Sequence, residues 1–271
     1  MKSQCLKTIC TVLLLVGTLV AQTTATAQEA DKASLAKAAQ NPVASMISLP
    51  FQNNTSFGFG PLDGTHNVLN IQPVWPLSVS EKWNLITRTI LPVVSQPALA
   101  EGLNGHSGLG DLTFTGFLSP ASPGKVVWGA GAVVLAPTAT DDALGAQKWG
   151  LGPSVVLLTM PGNWVVGSLL NNVWSVGGSG ETDVNAFTWQ YFVNYNMAGG
   201  WYLTSAPILT ANWEAESGNR WTVPFGGGVG KIFKLGKQPM NGQVSAYYNV
   251  ETPEFGSDWQ LRVQLQLLFP K

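Results

Sequence analysis

The chain holds two histidines, His66 and His106, and the second is followed directly by a hydroxyl, Ser107. A serine next to an imidazole could serve a hydrolase. Adjacent residues on extended chain project to opposite sides, however, and a nucleophile needs its base within hydrogen-bond reach. Both histidines are therefore read as loop residues, and a hydrolase is kept only as a minor alternative. Two acidic pairs, Asp141-Asp142 and Glu214 with Glu216, offer the oxygen ligands that Ca²⁺ takes. Solvated loop charge explains them equally, so no metal is assigned. Gly226 to Lys231 (GGGVGK) looks like a phosphate loop, but Phe225 stands where the first glycine belongs and Ile232 where Ser or Thr belongs. Glycine is expected there for a bend or for close approach of another segment. Cys5 and Cys10 both lie near the N-terminus, so the rest of the chain has no disulfide framework and no cysteine-ligated zinc. No cofactor is expected.

The chemistry that does recur is alternation. Trp259, Leu261, Val263, Leu265, Leu267 and Phe269 fall on one side of an extended segment, with Gln260, Arg262, Gln264 and Gln266 on the other. From Asn54 onward two-residue alternation of this kind is broken by turn residues at regular intervals, which predicts strands. They are placed near 54–60, 67–77, 82–95, 108–118, 125–138, 148–160, 163–177, 183–197, 200–214, 219–234, 241–252 and 257–269. The connections alternate as well. Tight ones (78–81, 119–124, 160–163, 197–200, 235–239) take turns with connections that are generally longer or more polar. Short turns at one end and loops at the other, with an even strand number, describe a transmembrane antiparallel β-barrel with both chain ends in the periplasm.

Tryptophan gives an independent check. Trp75, Trp83, Trp128, Trp164 and Trp201 sit at strand ends beside the tight turns, and Trp149, Trp174, Trp213, Trp221 and Trp259 beside the loops. Ten of the eleven tryptophans thus form two bands, as interfacial girdles do, and only Trp189 lies mid-strand. Composition agrees: charged residues are 11% of the chain, well below the roughly 25% of soluble domains. The fold class is all-β, a barrel of about 12 strands.

The N-terminus has Lys2 and Lys7, an apolar run from Thr11 to Ala21, and Ala25-Thr26-Ala27. This is the pattern of a cleaved secretory signal over 1–27, with Gln28 as the first mature residue. Without Lys2 and Lys7 the 14 basic residues become 12 against 15 acidic ones. No basic stripe is present, and nucleic acid is not an expected partner. Residues 28–53 form a helical then extended segment, ended as a helix by Asn41-Pro42, and lie in the periplasm or plug the barrel. The barrel itself is assigned to 54–271.

Four stretches, NPVASMISLPFQNN (41–54), VLNIQPVWPLSVSEKWNLITRTILPV (68–93), WGLGPSVVLLTMPGNWVVG (149–167) and GWYLTSAPILTANWEAESGNRWTVPFGGGVGKIF (200–233), resemble a family of bacterial outer-membrane barrels described as phenol-degradation meta-pathway or transporter proteins. Some members carry the label neuromedin U, a hormone name that nothing here supports. The resemblance covers nearly the whole mature chain. It implies an outer-membrane location, passive passage of small solutes, and hydrophobic or aromatic ones among them. It carries no catalytic residues. A closed structural barrel is the alternative, and an outer-membrane hydrolase the minor one.

If the aromatic face of each strand meets lipid, the other face lines the lumen. The lumen candidates are Arg88, Gln190, Asn194, Tyr247, Asn249, Arg262 and Gln264, with Asn84, Thr204, Asn212, Gln243, Gln260 and Gln266 beside them. An interior hydrogen-bond network is the favoured reading, since a barrel of this size can be filled largely by side chains. A polar pathway in which Arg88 and Arg262 favour anions is the functional one. Asp111 is placed to reach Arg88. Expected partners are outer-membrane lipid and lipopolysaccharide, a small-molecule solute, and the barrel-assembly machinery, which reads a terminal aromatic residue. Here Pro270-Lys271 follow Phe269.

Overall fold

A backbone that crosses hydrocarbon must pair its N–H and C=O groups within the protein, and strands do so only by closing on themselves. The computed structural model, which describes residues 31–270, meets this requirement with a closed antiparallel barrel of 12 strands and one short helix at its N-terminal end. The strands are β1 (Ile47–Phe59), β2 (Gly64–Ile71 and Val74–Ser78), β3 (Trp83–Gln96), β4 (His106–Leu109 and Leu112–Pro120), β5 (Val126–Ala136) and β6 (Lys148–Thr159). They continue with β7 (Trp164–Gly178), β8 (Asn185–Asn196), β9 (Trp201–Ser205 and Ile208–Asn212), β10 (Trp221–Leu235), β11 (Gln238–Glu251) and β12 (Trp259–Phe269). Each pairs with its neighbours in sequence, and β1 closes the wall on β12 from Ile47↔Phe269 to Phe57↔Trp259.

Three strands are written in two pieces because their ladders are interrupted, each beside a proline. Pro73 splits β2, Pro207 splits β9, and Pro92 of β3 lies against the gap at Gly110-Asp111 in β4. Proline donates no backbone hydrogen bond, so the groups around it must find other partners.

The wall starts earlier than the alternation suggested. Ile47 to Asn53 belong to β1, so these residues of the segment assigned to 28–53 are wall. The cleavage site and residues 1–30 lie outside the described residues. Residues 31–39 are helical, and the chain then runs through Asn41-Pro42 to β1. This segment is folded into the barrel at the tight-turn end. Ala36 and Met46 pack on Ile232 of β10 and Leu268 of β12. Lys37 Nζ donates to the Gly162 carbonyl at 2.6 Å, Gln40 and Asn196 exchange amide hydrogen bonds, and Asn84 donates to Ser45 Oγ at 3.1 Å.

The outward face is apolar. Val155, Leu157, Val166, Leu203, Val229, Val244, Val263 and Leu265 are all exposed along successive strands. The inward face is not uniformly polar, as the lumen assignment supposed. Ile86, Phe117, Val127, Val156, Leu158, Val165, Leu169 and Phe192 form a buried apolar cluster on the β3–β8 side, and Val43 of the N-terminal segment inserts into it. Polar side chains crowd the opposite sector, on β1, β9, β11 and β12, and are joined by Asn84 and Arg88 of β3 and Gln190 and Asn194 of β8.

The glycines of β10 permit a close approach, but by the wall itself. Gly228 and Gly230 pair with Thr204 and Tyr202 of β9. A Cβ at Gly230 would fall inside the Tyr202 ring, so the ring lies against bare backbone. Tyr202 then reaches across to Asn241 and Gln243 of β11, donating to Asn241 Oδ1 at 2.7 Å. Gly230→Val should therefore destabilise the barrel by about 1–3 kcal/mol through overpacking. Guanidinium unfolding in detergent micelles, followed by tryptophan fluorescence, measures this. Tyr202→Ala in the same chain should recover part of the loss, and an unchanged midpoint in the single variant would contradict the packing.

Candidate functional site

The site is the lumen between the N-terminal segment and the polar sector of the wall. Inward positions on β12 are Gln260, Arg262, Gln264 and Gln266, which face Ser56, Asn54, Gln52 and Pro50 of β1 in register. Alternation over Trp259–Phe269 foretold this side of the wall. The partners on β1 were missed because Pro50 and the polar run from Gln52 to Ser56 hide the period.

Arg262 is held on every side. Its Nε donates to Asn54 Oδ1 at 2.9 Å, Nη1 to the Ala206 carbonyl at 2.8 Å, and Nη2 to Gln260 Oε1 at 3.2 Å. The guanidinium lies over the Tyr247 ring, 4.9 Å from its centroid. Tyr247 in turn accepts the Ala206 N–H on its hydroxyl at 3.3 Å. Both backbone groups of Ala206, left without ladder partners by Pro207, are thus served from the lumen. Arg88 sits at the interruption beside Pro73, paired across the strands with Val74, and donates from Nη2 to Gln72 Oε1 at 2.6 Å. Gln72 itself precedes Pro73, and its N–H donates to the Pro50 carbonyl.

Of the lumen candidates, Arg88, Gln190, Asn194, Arg262 and Gln264 line one cavity of about 150 Å³. Ala38 to Pro42 and Ala44 of the N-terminal segment also line it, as do Phe192, Val74 and Ala206 of the wall among further, mostly polar, side chains. Tyr247 lies on the same face, buried beneath Arg262. Asn249 does not join them: it donates to the Ser257 carbonyl at 2.6 Å at the loop rim. The girdle tryptophans fall at both rims. Trp75, Trp128, Trp164 and Trp201 are exposed at the tight-turn rim, where Trp83 meets Trp128 edge-on, and Trp149, Trp174 and Trp259 are exposed at the loop rim, where Trp213 meets Trp221.

Asp111 does not reach Arg88. Its carboxylate accepts the N–H groups of Ala139 at 3.1 Å and Ala146 at 2.6 Å. The loop 137–147 folds back over β4, and its backbone donors take the nearest acceptor. His106 meets Asp141 rather than a serine, Nδ1 to Oδ2 at 2.9 Å. Asp141 also accepts the Ala143 N–H at 2.9 Å. Among the described residues, neither this acidic pair nor Glu214 with Glu216 gathers into a group of three possible metal ligands.

The hydrogen bond from His106, then that from Ala143, hold the Asp141 carboxyl below the usual carboxylate range. A folded-state value below the unfolded one means that this local contribution is complete above the ordinary aspartate pKa of about 3.9 and is lost as pH falls through the lowered value. The carboxyl carbon of Asp141 should titrate by NMR below about 3.9, and His106→Ala should move the midpoint up toward it. An unmoved midpoint would remove His106 as the cause.

No protein-family model matches the chain, and no curated protein matches it in sequence. Solved structures do match in fold. An outer membrane channel from Pseudomonas putida F1 aligns with a TM-score of 0.64 at 19% identity, over 84% of this chain and 97% of that one. The CymD monoaromatic hydrocarbon channel aligns at 0.46 and 12% identity, over 89% and 91%. Outer membrane phospholipase A from Escherichia coli aligns at 0.41 and 14%, over 83% and 96%.

Proposed function

We propose that the protein is an outer-membrane channel that lets small solutes, apolar or aromatic ones among them, pass without energy coupling. The observation that carries this reading is a closed wall, apolar outside, around a polar cavity whose end is stopped by a segment that is not part of the wall. The fold shared with the outer membrane channel of Pseudomonas putida F1 supports it, as does the resemblance of four sequence stretches to transporter-type barrels. In this reading the tight turns and both chain ends face the periplasm, residues 1–27 are removed as a signal, and the two tryptophan bands lie at the membrane interfaces. Lipid and lipopolysaccharide surround the barrel. The assembly machinery reads Phe269, which is exposed at the end of β12.

Passage then requires residues 31–46 to give way. Polar ties that hold them to the wall include those of Lys37, Gln40 and Ser45 and the exposed Asp31–Lys234 ion pair. A second reading, a sealed structural barrel, is favoured by the apolar clusters that Val43, Ala36 and Met46 complete.

Conductance separates the two. In planar bilayers, a chain beginning at Ile47 should conduct severalfold more than the mature chain, and the milder Lys37→Ala/Gln40→Ala variant should open more often. A shortened chain that folds into the membrane yet stays as silent as the mature one would exclude the channel.

A further inference from the structure

Arg88 and Arg262 are the two charged side chains of the cavity lining, and both are cations. Among the described residues neither pairs with a carboxylate; the acidic residues that do form ion pairs meet His106, Lys148 and Lys234. Both guanidinium groups belong to the lining of the same cavity. A charge taken out of bulk water without a counter-charge is costly, and two of one sign are more so. The wall explains one of them. Arg262 has its Nε, Nη1 and Nη2 all donating, and it closes the gap at Pro207. Arg88 is different. A guanidinium carries five N–H donors; Arg88 lines the cavity, gives one of them to Gln72, and has no nitrogen that is both fully buried and without a partner.

We infer that this cavity binds a small organic monoanion, a carboxylate with a compact apolar body. The carboxylate takes the open fork of Arg88 in the two-pronged geometry that guanidinium favours, within the field of Arg262. Gln190 and Gln264 are at hand with neutral amide donors. The apolar body lies against Val74, Phe192 and Ala206. Val74 is the cross-strand partner of Arg88, and all three pack with the apolar cluster of the lumen. Size sets the limit: a cavity of about 150 Å³ is of the order that holds a benzene ring. The lining thus offers charge and hydrocarbon side by side. Inorganic anions satisfy only the first.

This inference takes its route of arrival from the channel reading, but binding can be measured without passage. The mature protein, refolded in detergent, is titrated calorimetrically with benzoate, with benzyl alcohol as the neutral counterpart, and with chloride and phosphate as inorganic ones. Benzoate should bind saturably at one site, benzyl alcohol should not, and chloride and phosphate should displace benzoate weakly. Arg88→Gln should weaken benzoate binding about tenfold or more, and Arg88→Lys, which keeps the charge and loses the fork, should fall between. Circular dichroism and unboiled gel mobility establish that both variants fold. Equal binding of benzoate and benzyl alcohol, phosphate or chloride binding as well as benzoate, or an Arg88→Gln variant as good as the parent would each overturn the inference. Bilayer conductance of the same preparations keeps the two claims apart: conduction without benzoate binding sinks the site alone, and binding without conduction sinks the channel alone.

Discussion

The constraint on which the structure depends is that a strand wall facing hydrocarbon leaves no backbone group unpaired. Pairing β1 with β12 removes the last free edge. What remains are the prolines, whose neighbours are served by lumen side chains in one place and by the wall's own backbone in another. Ala206, stranded beside Pro207, gives its N–H to Tyr247 and its carbonyl to Arg262. Around Pro73, the Gln72 N–H reaches the Pro50 carbonyl and the Pro73 carbonyl accepts the Thr89 N–H. The two lumen arginines are therefore found where the wall is broken. The polar sector of the lumen is at once a repair of the backbone and a place where a ligand can be met.

That sector is opposed by an apolar one, and the N-terminal segment touches both. Its helix lays Ala36 on Ile232 and Leu268, while Val43 enters the cluster around Phe117 and Val156. Burying these side chains helps to hold the segment, beside polar ties of which several are exposed. A seal made mostly of apolar contact can be released as a unit without leaving a row of broken hydrogen bonds. The cavity beneath it is bounded by the segment's own Ala38 to Pro42 and Ala44, so any movement of the segment changes the cavity too.

Much of the wall was legible in the sequence because its outward face is apolar. Over 259–266 and 241–250 the outward residues are mostly apolar and the inward ones polar or tyrosine, and the period shows directly. The strand number, the alternation of tight turns and loops, and the two tryptophan bands followed. Where the inward face is apolar as well, the sequence is silent about direction: Val155 and Val156, Leu157 and Leu158, and Val165 and Val166 differ only in which side of the wall they occupy. The apolar half of the lumen was invisible for that reason. The start of β1 was obscured by Pro50 and by polar residues on both faces. Arg88 and Arg262 were legible as lumen residues, but not the contrast between one saturated guanidinium and one open fork. That contrast arises from tertiary contacts to Asn54 and Ala206, with a local bond to Gln260 beside them.

The central claim is the closed seam, and cysteine chemistry reads it directly, because the chain's two natural cysteines lie at positions 5 and 10. A mature chain with Asn53→Cys and Val263→Cys, opposed in the β1–β12 register, should oxidise to an intramolecular disulfide in folded, detergent-solubilised protein. The product should keep its compact mobility on unboiled gels. Failure to cross-link in protein that remains folded, while a pair shifted along the seam cross-links instead, would show that these strands do not close the wall in this register.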